Sequence, residues 1–168
     1  YANARYHFPV AFSYEESLLG TGGGIKYALP LTSGNDIIVI NGDTYADVDI
    51  DALIQFHREK NGVATIAVAR KKEGARYGAV AFDDGNKIHS FNEKSDASDF
   101  VNAGTLVLRR SLFDSISDGA VCSLEKDLIP QWLTQNVYAY IHQGGFLDIG
   151  TPESYAESGA YLSARKKG

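Results

Sequence analysis

Two aspartates stand at positions where a carboxylate could hold a divalent cation. Asp43 closes the stretch Asn41-Gly42-Asp43, directly after an apolar run of β-branched residues. Asp148 lies inside an apolar run, where burying a carboxylate is costly unless a partner or a cation neutralises it. Because Mg²⁺ takes one or two carboxylates together with phosphate oxygens and water, the two aspartates could share one ion. Each is also compatible with the simpler role of a turn or helix-capping acid.

Polar residues in the middle of the chain could bind a sugar and a phosphate. Glu93 could accept hydrogen bonds from sugar hydroxyls, and Lys94 would offer a point charge to phosphate if the preceding strand ends there. Gly78 permits close approach of a ligand, and the amide of Asn102 offers both donors and an acceptor. The alternatives are a solvent-exposed ion pair for Glu93 and Lys94, and a strand bulge or bend for the other two positions.

The stretch Gly20-Thr-Gly-Gly-Gly24 could bring the backbone close to a flat or charged ligand. It is not a dinucleotide fingerprint, because Ile25 stands where the third glycine of G-x-G-x-x-G is required. It is not a P-loop either, because Ile25-Lys26-Tyr27 replaces the final Gly-Lys-Ser/Thr. A helix predicted after it would offer free N–H donors at its first turn. A plain turn between a strand and a helix explains the glycines equally well.

These residues need a scaffold that joins distant segments of the chain. Alternating hydrophobicity predicts a strand over residues 10–15, followed by a glycine turn and a helix to about residue 29, where Pro30 ends it. The run Asp36–Ile40 is typical of a strand buried on both faces in a parallel sheet. Ligands of open α/β sheets bind beyond the carboxyl ends of such strands, where Asp43 stands.

The rest of the chain continues as an α/β protein. A helix over residues 49–60 and a strand over 63–69 complete a βαβ unit with a right-handed crossover. Further strands are predicted at 77–82, 87–91, 101–109 and 137–142, and helices at about 110–116, at 123–133 and after Thr151 as N-cap. We expect a Rossmann-like mixed sheet flanked by helices, with an inserted β-rich part.

Composition and missing motifs argue against several other functions. The 168 residues carry a net charge of −5, which argues against a nucleic-acid partner. No apolar run approaches the roughly 20 residues of a membrane span. The single cysteine, Cys122, is typical of a reducing compartment, so we expect a cytoplasmic protein. The sequence contains neither a G-x-S-x-G nucleophile motif nor the Cys and His spacing of a zinc site.

In their order along the chain, a series of motifs resembles the sugar-phosphate nucleotidyltransferase family. Each motif is weak alone, but the ordered set is specific and covers roughly residues 10–157. Within the family, the chain is similar to the branch that makes GDP-activated sugars, such as mannose-1-phosphate and D-glycero-D-manno-heptose 1-phosphate guanylyltransferases. The motifs are Glu15-Glu16 with Leu19-Gly-Thr-Gly-Gly23, Asn41-Gly-Asp-Thr-Tyr45, Arg76-Tyr-Gly78, Phe91 with Glu93-Lys94, Asn102-Ala-Gly104, Ser123-Leu-Glu-Lys-Asp127 and Asp148-Ile-Gly-Thr-Pro-Glu153.

The resemblance implies a GT-A-like nucleotidyltransferase fold, an activity and a set of residue roles. The activity is transfer of GMP from GTP to a sugar 1-phosphate, which gives a GDP-sugar and pyrophosphate. The attacking phosphate is already an anion, so a metal ion and a lysine can serve the reaction without a nucleophilic side chain. The implied roles are nucleotide binding by Gly20, Thr21 and Gly22, Mg²⁺ binding and catalysis by Asp43 and Asp148, sugar binding by Gly78, Glu93 and Asn102, and phosphate binding and catalysis by Lys94.

One family signature has no counterpart in this sequence. Family members carry an N-terminal GGxGTRL loop and a Pro-Lys pair that wrap the triphosphate. We therefore expect residues 1–168 to form one partial nucleotidyltransferase domain that lacks the first strand and the phosphate loop. Such a chain should be weakly active or inactive alone, and should associate with itself through exposed sheet edges. The alternative is a catalytically incomplete module that binds sugar phosphate or nucleotide.

Overall fold

The computed structural model describes residues 8–70, 79–92 and 98–165. Short 3₁₀ turns cover Leu29–Leu31 and Arg110–Phe113, and a π-helical turn, Leu124–Leu128, leads into the third helix. No helix in these ranges is long and apolar enough to cross a membrane. The helices are α1 (Gly20–Ala28), α2 (Ile50–Glu59), α3 (Ile129–Trp132) and α4 (Pro152–Arg165), and the strands are β1 (Asp36–Ile40), β2 (Thr44–Ala46), β3 (Ala64–Arg70), β4 (Ala79–Phe82), β5 (Ile88–Asn92), β6 (Phe100–Arg109), β7 (Val137–Ile141) and β8 (Phe146–Asp148).

A six-stranded mixed sheet forms the centre of the fold, as expected. Its strand order is β5-β4-β6-β3-β7, and β1 pairs with β6 beside β4. Strands β3 and β7 are parallel, whereas β6 is antiparallel to β1, β3 and β4. The 10 residues of β6 are long enough to pair with β1 at one end and with β4 at the other, on the side opposite β3. Strand β6 therefore holds the sheet together.

The predicted strand-helix-strand unit is present, but its strands are not neighbours. Strands β1 and β3 run in the same direction because both are antiparallel to β6, which lies between them. The expectation of a strand buried on both faces was wrong for β1, since Ile38 is 42% and Ile40 is 62% exposed. Helix α2 begins where predicted, because the Asp49 side chain accepts the Ala52 N–H at 3.0 Å.

The predicted strand over residues 10–15 was wrong. Residues 9–15 have no regular secondary structure, and Phe12 and Tyr14 are exposed. Alternating hydrophobicity alone does not determine a strand, because strand formation depends on tertiary context. Instead, the Glu15 carboxylate accepts the Leu19 N–H at 2.9 Å, which ties this segment to the start of α1.

The glycine stretch is also helical rather than a turn before a helix. Gly20 to Gly24 form the first part of α1. Gly22 and Gly23 donate their N–H groups to the Cys122 carbonyl oxygen, at 2.9 Å and 3.3 Å. The expectation of free N–H donors was therefore wrong for these two residues, because the backbone of a distant segment already satisfies them.

The core lies between the sheet and the helical segments that follow β6. Ile66, Leu106, Leu108 and Phe113 are fully buried in it. The Phe113 ring packs edge-on against Trp132, with the ring centroids 5.6 Å apart. Full burial of each such side chain contributes on the order of 2 kcal/mol, so this packing fixes the strand ends that carry the polar loops.

Candidate active site

A two-stranded ribbon joins the two aspartates predicted to share a cation. Strands β2 and β8 are antiparallel, with Thr44 opposite Asp148. The Ile149 N–H donates to the Asp43 carbonyl oxygen at 2.9 Å. A β-carbon placed on Gly150 would lie 3.0 Å from Asp148 Oδ1 and 3.8 Å from Asp43 Oδ2. Carboxylates 105 positions apart in the chain therefore border one small space.

The electrostatics of this space suit a cation. Asp43 is exposed and Asp148 is partly buried. Asp148 Oδ1 accepts the Gly150 N–H at 2.7 Å, while the only hydroxyl near Asp43 among the described residues, that of Thr44, is 3.5 Å from Oδ1. Within the described ranges neither carboxylate forms an ion pair with Lys, Arg or His. Two neighbouring negative charges without a basic partner favour a bound cation.

The donor set fits Mg²⁺ that completes its coordination with substrate. Among the described residues, no group of three or more His, Cys, Asp or Glu side chains could enclose a metal. Two carboxylates are nevertheless a usual protein contribution to a Mg²⁺ site, because phosphate oxygens and water supply the other ligands. Asp43 and Asp148 are thus suited to hold a magnesium ion that arrives with a nucleotide.

An open cavity of about 540 Å³ extends from the aspartate loop to the start of α1. Thr21, predicted to bind nucleotide, and Asp43, predicted to bind metal, both line it. The lining residues are Thr21, Ile25, Val39, Ile40, Asn41, Gly42, Asp43, Leu124 and Glu125. The structure therefore brings two of the predicted site segments to one cavity, where apolar side chains form much of the wall.

The three residues predicted to bind nucleotide differ in what they can offer. The Thr21 hydroxyl donates to Glu125 Oε2 and accepts the Leu124 N–H, both at 2.8 Å. Gly22 is buried, and a β-carbon there would lie 2.6 Å from Leu128 Cδ1. Gly20 is exposed with a φ of +73°, and a β-carbon there would lie 2.5 Å from the Cys122 carbonyl oxygen. These glycines let α1 pack closely against the backbone at Cys122.

The segment around Asn102 lies beside the aspartate loop. Asn102 Oδ1 accepts the Gly104 N–H at 2.9 Å, and Gly104 adopts a φ of +73°. The pairing of β3 with β6 shifts register at this point, so the strand irregularity considered for this motif is present. The Gly104 carbonyl accepts the Asn41 N–H at 2.8 Å. The irregularity thus supports the loop that carries Asp43, and sugar binding by Asn102 stays a prediction.

Three of the predicted site residues lie outside the described part of the chain, and one residue that lines the cavity had no predicted role. Gly78, Glu93 and Lys94, predicted to bind the sugar and its phosphate, lie outside the described residues. Glu125 lines the cavity and contacts Thr21, but it had no predicted role. The signal was available, since Glu125 stands in the Ser123–Asp127 motif that carried part of the family resemblance.

Comparison with known proteins decides the family. The family model described as nucleotidyl transferase matches residues 2–165. The chain belongs to this family. A D-glycero-alpha-D-manno-heptose 1-phosphate guanylyltransferase from Aneurinibacillus thermoaerophilus is 32% identical over 161 residues, which are 94% of this chain and 70% of that protein. A mannose-1-phosphate guanylyltransferase from Mycobacterium tuberculosis is 30% identical over 158 residues, or 91% of this chain.

The solved structures agree with the family assignment. The crystal structure of HddC from Yersinia pseudotuberculosis complexed with GMP-PN superposes with a TM-score of 0.77 at 30% identity. The match covers 88% of this nucleotidyl transferase chain and 64% of HddC, and the chain spans 44% of the mycobacterial protein. The expected fold, a mixed α/β sheet flanked by helices in the nucleotidyltransferase manner, is confirmed, and so is the resemblance to guanylyltransferases.

Proposed function

We propose that this chain carries the site of a guanylyltransferase that moves GMP from GTP to a sugar 1-phosphate. The observation that carries the proposal is the β2–β8 ribbon, which sets Asp43 and Asp148 around one space at the mouth of the Thr21 cavity. The relatives at about 30% identity support the choice of nucleotide and acceptor, since they are named for guanylyl transfer to mannose 1-phosphate and heptose 1-phosphate.

Two groups of residues have different proposed roles: apolar residues contact the base, and the aspartates bind the metal ion that neutralises phosphate charge. The cavity wall of Ile25, Val39 and Leu124 offers apolar surface to the faces of a base. Asp43 and Asp148 would hold Mg²⁺, which neutralises charge on the phosphates and on the departing pyrophosphate. The short β2–β8 ribbon keeps the two carboxylates at a fixed separation, so the phosphates bind to a site that is already organised.

The acceptor side of the proposal rests on residues near the same loop. Asn102 lies one short turn from Gly104, which contacts the Asn41–Asp43 segment. We assign sugar contacts to Asn102, Gly78 and Glu93, and contact with the attacking phosphate to Lys94. In the reaction an oxygen of the sugar 1-phosphate bonds to the α-phosphorus of GTP. The bond from that phosphorus to the bridging oxygen breaks, and pyrophosphate leaves with the electron pair.

A two-stage experiment with the 168-residue chain tests this function. Calorimetric titration in Mg²⁺ compares GTP with UTP, dTTP and ATP, and mass spectrometry then searches long incubations with GTP and a panel of sugar 1-phosphates for GDP-sugar. We expect tightest binding of GTP and weak, Mg²⁺-dependent formation of at least one GDP-sugar, in line with a domain that lacks the phosphate loop. Equal affinity for all four nucleotides would contradict the proposal. Selective GTP binding with no product from any sugar would favour the alternative, a binding module without turnover.

A further inference from the structure

Glu125 lines the cavity beside Thr21, whereas Asp43 lines it from the aspartate loop. Of the residues that line the cavity, Asp43 and Glu125 are the charged ones. Asp43 belongs to the proposed metal site, so the role of Glu125 is unassigned. It is partly buried and follows Ser123, which caps the π-helical turn by accepting the Lys126 N–H at 3.1 Å. A carboxylate that lines the cavity outside the proposed metal site can contact another part of a bound ligand.

The Glu125 carboxylate is oriented by one of its oxygens and has the other available. Oε2 accepts hydrogen bonds from the hydroxyls of Thr21 at 2.8 Å and Ser123 at 3.3 Å. Among the described residues none donates to Oε1. A carboxylate oxygen can accept two hydrogen bonds, so Oε1 can accept two more donors. Two hydroxyls from different segments therefore fix the direction of an acceptor that is not yet used.

The same contacts remove Thr21 as the reader of a base. Its hydroxyl proton goes to Glu125, and its oxygen already accepts the Leu124 N–H. Thr21 thus acts as a positioning residue for Glu125. The apolar neighbours Ile25, Val39 and Leu124 can pack on the face of a ring but cannot read the groups on its edge.

We propose that Glu125 sets the base specificity of the proposed guanylyltransferase by accepting the N1–H and the N2 amino group of guanine at Oε1. Guanine presents these two donors side by side. Uracil and thymine present one N–H between two carbonyl oxygens, whose lone pairs a carboxylate repels. Adenine presents an unprotonated ring nitrogen at the corresponding place. The inference rests on the proposed function, since it requires a nucleotide base in this cavity.

The substitution Glu125→Gln tests the inference with the structure kept intact. The amide oxygen can still accept from Thr21 and Ser123, but the amide group has lost its charge and turns an N–H₂ toward the ligand. Asp127→Asn is the matched control, because Asp127 lies two residues away and its carboxylate accepts the Ser123 N–H at 2.7 Å, which an amide oxygen can also do. Titration in Mg²⁺ uses GTP, ITP, which lacks the N2 amino group, and UTP.

The expected result is a change in selectivity. Wild type should bind GTP about tenfold more tightly than ITP. Glu125→Gln should weaken the binding of GTP by roughly 10- to 100-fold and that of ITP by less, and it should leave the binding of UTP unchanged. Asp127→Asn should keep the wild-type order. Equal weakening of all three nucleotides would show a purely structural role and overturn the inference. So would an unchanged preference for GTP, and that result leaves the guanylyltransferase proposal standing.

Two further outcomes remain interpretable. If wild type shows no preference for GTP, the proposed function and this inference fail together. If Glu125→Gln does not fold by circular dichroism, Glu125→Asp replaces it, since it keeps the charge but withdraws the oxygen by one methylene. We expect Glu125→Asp to weaken the binding of GTP more than the binding of UTP. Equal effects on the affinity for both nucleotides would overturn the inference.

Discussion

The two ends of the cavity are built in opposite ways. At the α1 end, glycines let backbones pack closely, and the Thr21 hydroxyl and the Gly22 N–H have partners inside the protein. At the other end, a ribbon of three-residue strands holds Asp43 and Asp148 with few internal partners. The difference teaches that the glycine stretch is explained by the fold, whereas the described residues give the aspartate pair few internal contacts, as the proposed cation site requires.

The largest expected effect is on the aspartate end. Asp148→Asn should abolish the weak Mg²⁺-dependent formation of GDP-sugar expected of this chain, because the metal loses a charged ligand. The melting temperature should stay nearly unchanged, because the amide oxygen can still accept the Gly150 N–H.

A matched control makes the Asp148 result specific. Asp84→Asn makes the same replacement of a carboxylate by an amide at an exposed residue in the β4–β5 turn, and it should leave turnover unaltered. If Asp148→Asn retained full turnover, the aspartate would not belong to the metal site. If it lost turnover together with the fold, the contrast between the two ends would not hold.

The second effect separates two neighbouring glycines at the α1 end. A β-carbon on Gly23 would overlap the Ala120 carbonyl oxygen and lie 2.9 Å from Leu19 Cβ, so Gly23→Ala should lower the free energy of unfolding by about 3 kcal/mol. On Gly24 it would meet the end of the Glu15 side chain at 2.7 Å, which can move away. Gly24→Ala should therefore stabilise α1 by up to about 1 kcal/mol.

Urea unfolding of both glycine variants gives the measurement. The contrast requires opposite signs for the two substitutions at adjacent positions of one helix. Equal small changes would mean that the first turn of α1 is not held against the Ala120–Cys122 backbone, and the packing explanation of the glycines would be lost.

The third effect concerns the hydroxyl that links α1 to the π-helical turn. Thr21→Val keeps the shape of the side chain but leaves the Leu124 N–H without its partner and the Glu125 carboxylate with Ser123 alone. We expect a loss of about 1–2 kcal/mol in the free energy of unfolding, and a smaller loss for Thr21→Ser, which keeps the hydroxyl. Identical losses for Val and Ser would show that the methyl group, rather than the hydroxyl, stabilises this end.

The smallest effect comes from a buried histidine outside the cavity. His57 is 1% exposed, and its Nδ1 is 2.8 Å from Thr65 Oγ1. Its Nε2 lies 3.6 Å from Asp36 Oδ1, and Arg109 and Arg58 also act on it. Burial lowers the pKa of His57 below its usual 6.5, and the attraction of Asp36 offsets only part of this. Just below that pH, the unfolded chain therefore binds the proton more readily than the folded protein.

The free energy of unfolding should therefore fall as the pH drops below about 6.5, with a slope of at most about 1.4 kcal/mol per pH unit from this one group. Urea titrations between neutral and mildly acidic pH compare wild type with His57→Gln, which should show a shallower slope. Parallel slopes would mean that His57 does not keep its neutral form in the folded protein. Base selectivity in the cavity should be the same in both proteins.

The sequence predicted well those elements whose bounds depend on the pattern of neighbouring residues. The bounds of β1 and the start of α2 follow from a continuous apolar run and from the helical spacing of apolar residues, both of which are local. The structure brings Asp43 and Asp148 to one small space, and their binding of a shared cation stays a prediction.

The errors arose where contacts between distant segments of the chain determine the local structure. The place of β1 beside β6 rather than β3 depends on paired residues more than sixty positions away, and no local pattern encodes that pairing. The glycines belong to a helix that packs on a distant segment: the Cys122 carbonyl oxygen accepts the N–H groups of Gly22 and Gly23, and the Ala120 carbonyl leaves no room for a β-carbon on Gly23. Strands β2 and β8 have three residues each, which is too short for a period of two to stand out.

One titration tests most directly whether the two ends hold a single nucleotide. The affinity for GTP is measured with and without Mg²⁺ for wild type, Asp43→Asn and Glu125→Gln. We predict that Mg²⁺ strengthens GTP binding to wild type about tenfold or more. Asp43→Asn should lose this gain but keep the preference for GTP over UTP. Glu125→Gln should keep the gain from Mg²⁺ but lose the preference for GTP. A Mg²⁺ gain of the same size in Asp43→Asn would contradict the account.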